Sequence, residues 1–155
     1  MSVEQVRNHL AQWHLEDRVL EFHASSATVG EAALAVGCEP RRIAKTMSFW
    51  VEDKAVLVVM AGDARVDNVK FKAAFRQKAV MIPAERVREC TGFAVGGVCP
   101  FGVPEGVPVY LDESLKRFEI VYPSGGSPRS AVRVTLKELE TASRASGWVD
   151  IGKRA

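Results

Sequence analysis

A chain of 155 residues fits one domain with a substantial core. With 47% apolar and 26% charged residues it has the balance of a globular protein, and no apolar run is long enough to span a membrane. The net charge of +2 is too small to announce a nucleic-acid binder by composition, although charge can still be clustered.

The first stretch pairs Ser2 and Gln5 as a capping box, followed by Val6, Leu10 and Trp13 at helical spacing. It has too many polar interruptions for a secretory signal. Residues 18–23 alternate weakly and read as a short strand. His23 closes it, and because strand ends carry sites it is a candidate substrate contact, though such a histidine is more often solvent-facing. Thr28 with Glu31 predicts a second capped helix, ended by Gly37. Pro40 opens a helical turn carrying Arg41 and Arg42.

Residues 43–51 read as a strand with Ala44, Thr46, Ser48 and Trp50 on one side and Lys45, Met47, Phe49 and Val51 on the other. Lys45 thus falls on the more apolar side. It either snorkels from the strand's beginning or points into a pocket to meet an anion. After a turn at 52–54, residues 55–61 form an unbroken apolar run, as in a strand covered on both faces.

Asp67 caps a helix through Phe75. Lys70, Lys72 and Arg76 on this helix, with Lys78 beyond it, make the densest basic cluster of the chain and the candidate phosphate contacts. Residues 79–82 read as a short strand, and Pro83 starts another helix.

Residues 91–100 are too apolar for an ordinary loop and too glycine-rich for a helix. A strand can run through 93–95. Gly96-Gly97 then permits a bend or a close approach, and Pro100 stiffens the exit. The stretch suits either a β-bulge at a sheet edge or a backbone cradle whose N–H groups face a ligand. Strands follow at 107–111, 118–122 and 131–134, with a second glycine loop at 124–128. Thr135 and Glu138 cap a last helix, and 147–151 reads as a final strand. The elements alternate as in an α+β domain built around one mixed sheet. The three cysteines, Cys38, Cys90 and Cys99, are odd in number and not at metal-ligand spacing, and reduced thiols are expected.

Five segments recur together in one family: Ile43-Ala44-Lys45-Thr46, Ala61-Gly62-Asp63, Thr91-Gly92 with Gly96-Gly97-Val98-Cys99-Pro100, Asp112-Glu113-Ser114-Leu115, and Tyr122-Pro123-Ser124-Gly125-Gly126. The ordered set resembles the YbaK/ProX family of free-standing aminoacyl-tRNA deacylases, related to the editing domain inserted in bacterial prolyl-tRNA synthetases. The resemblance covers nearly the whole chain. It implies a single α+β domain over 1–155, with a mixed, partly barrel-like sheet and surrounding helices. It also implies hydrolysis of the ester joining a wrong, small amino acid to the terminal ribose of tRNA, in the cytoplasm.

The same resemblance places the family's lysine on Lys45 and its glycine loop on Gly96, Gly97 and Pro100. Thr46, Ser124 and Gly125 become substrate contacts, and Cys99 is read as pocket lining. An aminoacyl ester is already activated, so placement and charge stabilisation suffice. No metal or other cofactor is called for. The expected partners are the acceptor end of an aminoacyl-tRNA and, beyond it, an aminoacyl-tRNA synthetase. A non-catalytic module that captures tRNA ends or a synthetase is the alternative, and a small-molecule esterase a weaker third. Two departures stand out. Ser127-Pro128-Arg129-Ser130 replaces a basic residue followed by glycine, and Ala131 stands where some cysteine-specific relatives have an acid.

Overall fold

The computed structural model describes residues 3–154. In chain order the helices are α1 (Val3–Leu10), α2 (Val29–Val36), α3 (Asn68–Phe75), α4 (Ala84–Thr91) and α5 (Leu136–Ala142). The strands are β1 (Val19–Glu21), β2 (Ile43–Val51), β3 (Lys54–Ala61), β4 (Ala64–Val66), β5 (Val109–Asp112), β6 (Ile120–Pro123), β7 (Ser130–Val132), β8 (Val134–Thr135), β9 (Gly147–Val149) and β10 (Gly152–Arg154). Among the described residues no helix is long and apolar enough to cross a membrane.

Six strands form one mixed sheet in the order β8-β6-β2-β3-β5-β9, curled into a half-barrel, as expected of an α+β domain. The β2–β3 hairpin is its centre, with Lys45 opposite Met60 and Thr46 opposite Val59. The β3 run is covered on both faces, as its unbroken apolar character predicts. Leu57, Val59 and Ala61 enter one core cluster, and Val56, Val58 and Met60 the other. The first cluster gathers Leu10, Phe93, Phe101, Leu111 and Leu139; the second packs Phe49 on Phe71 beneath α3. Burying side chains of this size stabilises the fold by about 1.5–3 kcal/mol each.

The helix starts are chemically explicit. The Thr28 hydroxyl accepts from the Glu31 N–H, and the Asp67 carboxylate from those of Val69 and Lys70. Thr135 and Glu138 form the complete capping box. The Ser2 half of the first box lies outside the described residues.

Three expectations change. Residues 93–95 form no strand, because Phe93 is wholly buried as a core anchor and the chain turns directly after it. The strand expected over 79–82 is reduced to a single bridge, Phe49 to Met81, flanked by hydrogen bonds from Trp50 N–H to Val80 and from Ile82 N–H to Ser48. Two short strands that local alternation does not reveal, β4 and β10, pair with each other as a separate antiparallel ribbon.

Candidate active site

Strand β2 has a neighbour on its outer edge only at its two ends. The parallel partner β6 pairs with Ile43 and Ala44 and stops at Pro123, and the next bridge is at Phe49. Between those points a cavity of about 270 Å³ fills the gap. One wall is β2 itself, from Ile43 to Met47. A second is Ser26, Ala27 and Thr28 ahead of α2, and a third is Tyr122 to Ser124 with Ser130 and Ala131. Gly96 and Val98 close it.

Lys45 lines this cavity half-buried, and its ammonium donates to the Ala64 carbonyl. Among the described residues no carboxylate forms an ion pair with it. Burial holds its pKa below the usual lysine range, the Asp63 carboxylate opposes that shift, and the Arg65 charge adds to it. Asp63 is itself committed, accepting two hydrogen bonds from Arg117 at 3.0 and 2.5 Å. The lysine is therefore held and partly desolvated, and among the described residues no carboxylate pairs with it directly.

Thr46 is the next lining residue. Its Oγ1 is buried and has no hydrogen-bond partner among the described residues. A buried hydroxyl left unpaired costs about 1–3 kcal/mol, so at this cavity wall it is available to a water or to a ligand atom.

The glycine loop closes the cavity by close approach. Gly96 has φ +83°, and a Cβ there would stand 2.9 Å from the Ala27 Cβ. A Cβ on Gly97 would stand 2.9 Å from the Ser127 backbone. The Gly97 N–H is spent inside the turn, donating to the Ala94 carbonyl at 3.0 Å. Gly96 thus lies on the cavity wall, while Gly97 lies behind it against the second glycine loop, and its N–H does not face a ligand.

That second loop is held by serine hydroxyls. Ser124 Oγ accepts from Gly126 N–H at 3.2 Å, and Ser130 Oγ accepts from Ser127 N–H at 3.1 Å. Gly125 N–H donates to the Ser130 carbonyl at 3.3 Å, and a Cβ on Gly125 would crowd Ser130 Oγ at 2.8 Å. The unusual Ser127-Pro128-Arg129-Ser130 sequence is thus a self-bonded turn, and Ser130 and Ala131 reach the cavity from it.

Several expected contacts lie elsewhere. Cys99 and Pro100 are buried and do not line the cavity. Cys99 belongs to the main core, where burial pushes its thiol far above the usual range and the Phe101 N–H donates to its sulfur at 3.4 Å. His23 is exposed and away from the cavity. Lys70 is tied to Asp150 at 3.1 Å and to the Gly152 carbonyl at 2.8 Å, while Lys72 and Arg76 are exposed on and after α3. In the sequence residues 25–28 read as a turn and a helix start. Nothing local to them shows that Ser26 and Ala27 form a wall, which depends on the Ser26 N–H bond to the Pro128 carbonyl at 2.6 Å.

Residues 23–142 match the family model of the aminoacyl-tRNA editing domain. The chain belongs to this family. It is 48% identical over 154 residues to the uncharacterized protein YwhH of Bacillus subtilis, covering 99% of this chain and 98% of that one. An 88-residue stretch, 56% of the chain, is 33% identical to part of the proline–tRNA ligase of Bacillus cytotoxicus and corresponds to 16% of the ligase. A solved structure described as that of a candidate trans-editing enzyme for prolyl tRNA synthetase superposes with a TM-score of 0.87 at 36% identity, over 99% of both chains. Of the five segments that carried the resemblance, those at 43–46, 91–100 and 122–126 contribute to the cavity wall, while those at 61–63 and 112–115 lie beside a separate groove and are joined by a hydrogen bond from the Ala61 N–H to Ser114 Oγ at 3.0 Å.

Proposed function

We propose that this protein is a trans-editing aminoacyl-tRNA deacylase that hydrolyses the ester of a tRNA mischarged with a small amino acid. The observation that carries the reading is the half-buried Lys45 ammonium, without a carboxylate partner, beside a small cavity whose Thr46 hydroxyl is unpaired. At about 270 Å³ the cavity is smaller than ordinary ligand pockets, which run from roughly 300 to 1,000 Å³. Its apolar walls, Ala32, Ile43 and Val98, suit a small aliphatic side chain.

In this reading Lys45 takes the terminal phosphate or ribose end of the tRNA and fixes the ester over the cavity. Thr46 Oγ1 and the edge of β2 orient the aminoacyl group. Gly96 lets the loop close on it. Water adds to the ester carbonyl carbon, the bond to the ribose oxygen breaks, and the departing oxygen takes a proton from the added water. The products are the free amino acid and uncharged tRNA. Among the described residues no carboxylate or imidazole lines the cavity, and a ribose hydroxyl of the substrate relays that proton. The whole chain forms the deacylase domain. It works in the cytoplasm alongside the synthetase that makes the error.

A panel of mischarged tRNAs tests this. Release of a small amino acid at catalytic protein concentration is the expected result. Binding without turnover would replace the reading with that of a non-catalytic module. Equal cleavage of aminoacyl esters lacking tRNA would replace it with that of an esterase.

A further inference from the structure

The β4–β10 ribbon carries an arrangement that the fold itself does not explain. Its register sets Arg65 directly opposite Lys153, with Arg154 opposite Ala64. Like charges directly opposite each other in an antiparallel pair destabilise it. Both are exposed, and among the described residues no side-chain hydrogen bond or ion pair holds Arg65, Lys153 or Arg154.

The neighbouring carboxylates are already spoken for. Asp63 takes Arg117, Asp150 takes Lys70, and Glu113 takes Lys116 at 2.8 Å. Asp67 caps α3, and the buried Asp112 accepts from the N–H groups of Ser114 and Ile151 at 2.9 and 2.8 Å. Lys153 and Arg154 reach Asp67 and Asp63 only as longer-range attraction. A groove of about 310 Å³ runs beside the ribbon, lined by Lys70, Arg117, Lys153 and Arg154 and by the same carboxylates Asp63, Asp112, Glu113 and Asp150, so its free positive charge is that of Lys153 and Arg154. The ribbon is also tied to Lys45, since its first residue, Ala64, supplies the carbonyl that holds the ammonium.

We propose that the β4–β10 ribbon, through Arg65, Lys153 and Arg154, binds the phosphate backbone of the tRNA acceptor end and leads it to Lys45. This rests on the deacylase reading and relocates the tRNA contact from the outer face of α3 to the ribbon. A polyanion is the partner that turns the cross-strand repulsion into binding, because each phosphate neutralised releases counterions. Such contacts set position along the nucleic acid and leave amino-acid choice to the cavity.

The test uses Lys153→Glu, Arg65→Gln/Lys153→Gln and, as a control on α3, Lys72→Glu. Affinity for uncharged tRNA is measured across a salt series, alongside thermal melting and turnover of a short aminoacylated CCA fragment. Lys153→Glu places an opposite charge across from Arg65, so melting should hold or rise while tRNA binding weakens roughly tenfold. The salt slope should fall by about 0.7–0.9 per contact removed. Fragment turnover by Lys153→Glu should stay unchanged, and Lys72→Glu should leave affinity as it was.

Unchanged tRNA affinity in both ribbon variants, an equal loss in Lys72→Glu, or no measurable tRNA binding by the native protein would overturn the proposal. The two readings fail separately. Loss of tRNA binding in the ribbon variants, with no mischarged tRNA hydrolysed by the native protein, sinks the deacylase and keeps the ribbon. Normal deacylation of full-length tRNA by the ribbon variants does the reverse.

Discussion

The Lys45 ammonium is anchored by the backbone carbonyl of Ala64, two strands along the chain, and not by an acidic side chain. A carbonyl fixes the direction of the ammonium without neutralising it, so the charge remains available to an anion. It also means that removing the lysine strands no buried carboxylate, the usual cause of large losses when one partner of a buried ion pair is deleted.

Lys45→Met should therefore fold with an unchanged or higher melting temperature and lose deacylation by about a hundredfold or more. The pH dependence follows from the sign of the shift. The folded-state pKa of Lys45 is lowered, so between it and the ordinary lysine value the unfolded chain binds more protons, and native stability from this group rises with pH. The advantage of methionine should be largest near neutral pH and shrink as pH approaches the usual lysine range. Melting curves of both proteins from neutral to alkaline pH check this. A Lys45→Met protein that unfolds, or that deacylates normally, contradicts the assignment.

Thr46→Val removes the unpaired hydroxyl while keeping the side chain's shape. Since Oγ1 is buried without a partner, the variant should be more stable by about 1 kcal/mol, yet poorer in kcat/KM. Denaturant unfolding and single-turnover deacylation measure the two effects. A loss of stability would mean that an internal hydrogen bond satisfies the hydroxyl and that no ligand is needed.

Cys99→Ala should retain turnover and lose about 1–2 kcal/mol of stability from the void left in the core. In the native protein a thiol reagent should modify the half-buried Cys38 and Cys90 before Cys99, whose thiol burial keeps protonated. Rapid modification of Cys99 accompanied by loss of activity would restore it to the cavity.

What could be read in the sequence was local or was carried by the family pattern. The alternation over 43–51 and the side of the strand on which Lys45 falls depend on neighbours in the chain, and β2 runs Ile43–Val51. The caps at Thr28, Asp67 and Thr135 are likewise local. The partner of Lys45 was hidden because a backbone acceptor leaves no mark on residue identity. The β4–β10 ribbon was hidden because three-residue strands show almost no alternation, and their pairing joins distant parts of the chain. Cys99 looked like a lining residue because it stands among the loop's glycines. The structure turns it inward beside Phe93 and Phe101, whose burial controls that segment's path.

The two adjacent glycines of the loop should respond to alanine differently. Gly96 sits at φ +83°, where an L side chain costs roughly 1–2 kcal/mol, and its Cβ would also press on Ala27 at the cavity wall. Gly96→Ala should therefore lower both stability and kcat/KM. Gly97 has no such backbone requirement, but its Cβ would meet the Ser127 backbone, which cannot rotate aside as a side chain can. Gly97→Ala should displace the loop held by Ser124, Ser127 and Ser130. It should thus impair deacylation through that loop, without filling the cavity directly. Truncating Ser130 to alanine loosens the same turn and should reproduce much of the Gly97→Ala loss, so the double variant should lose less than the sum of the two. Additive losses in a double-mutant cycle would show that Gly97 acts on the substrate independently of the serine loop, as a cradle with its own N–H contact would.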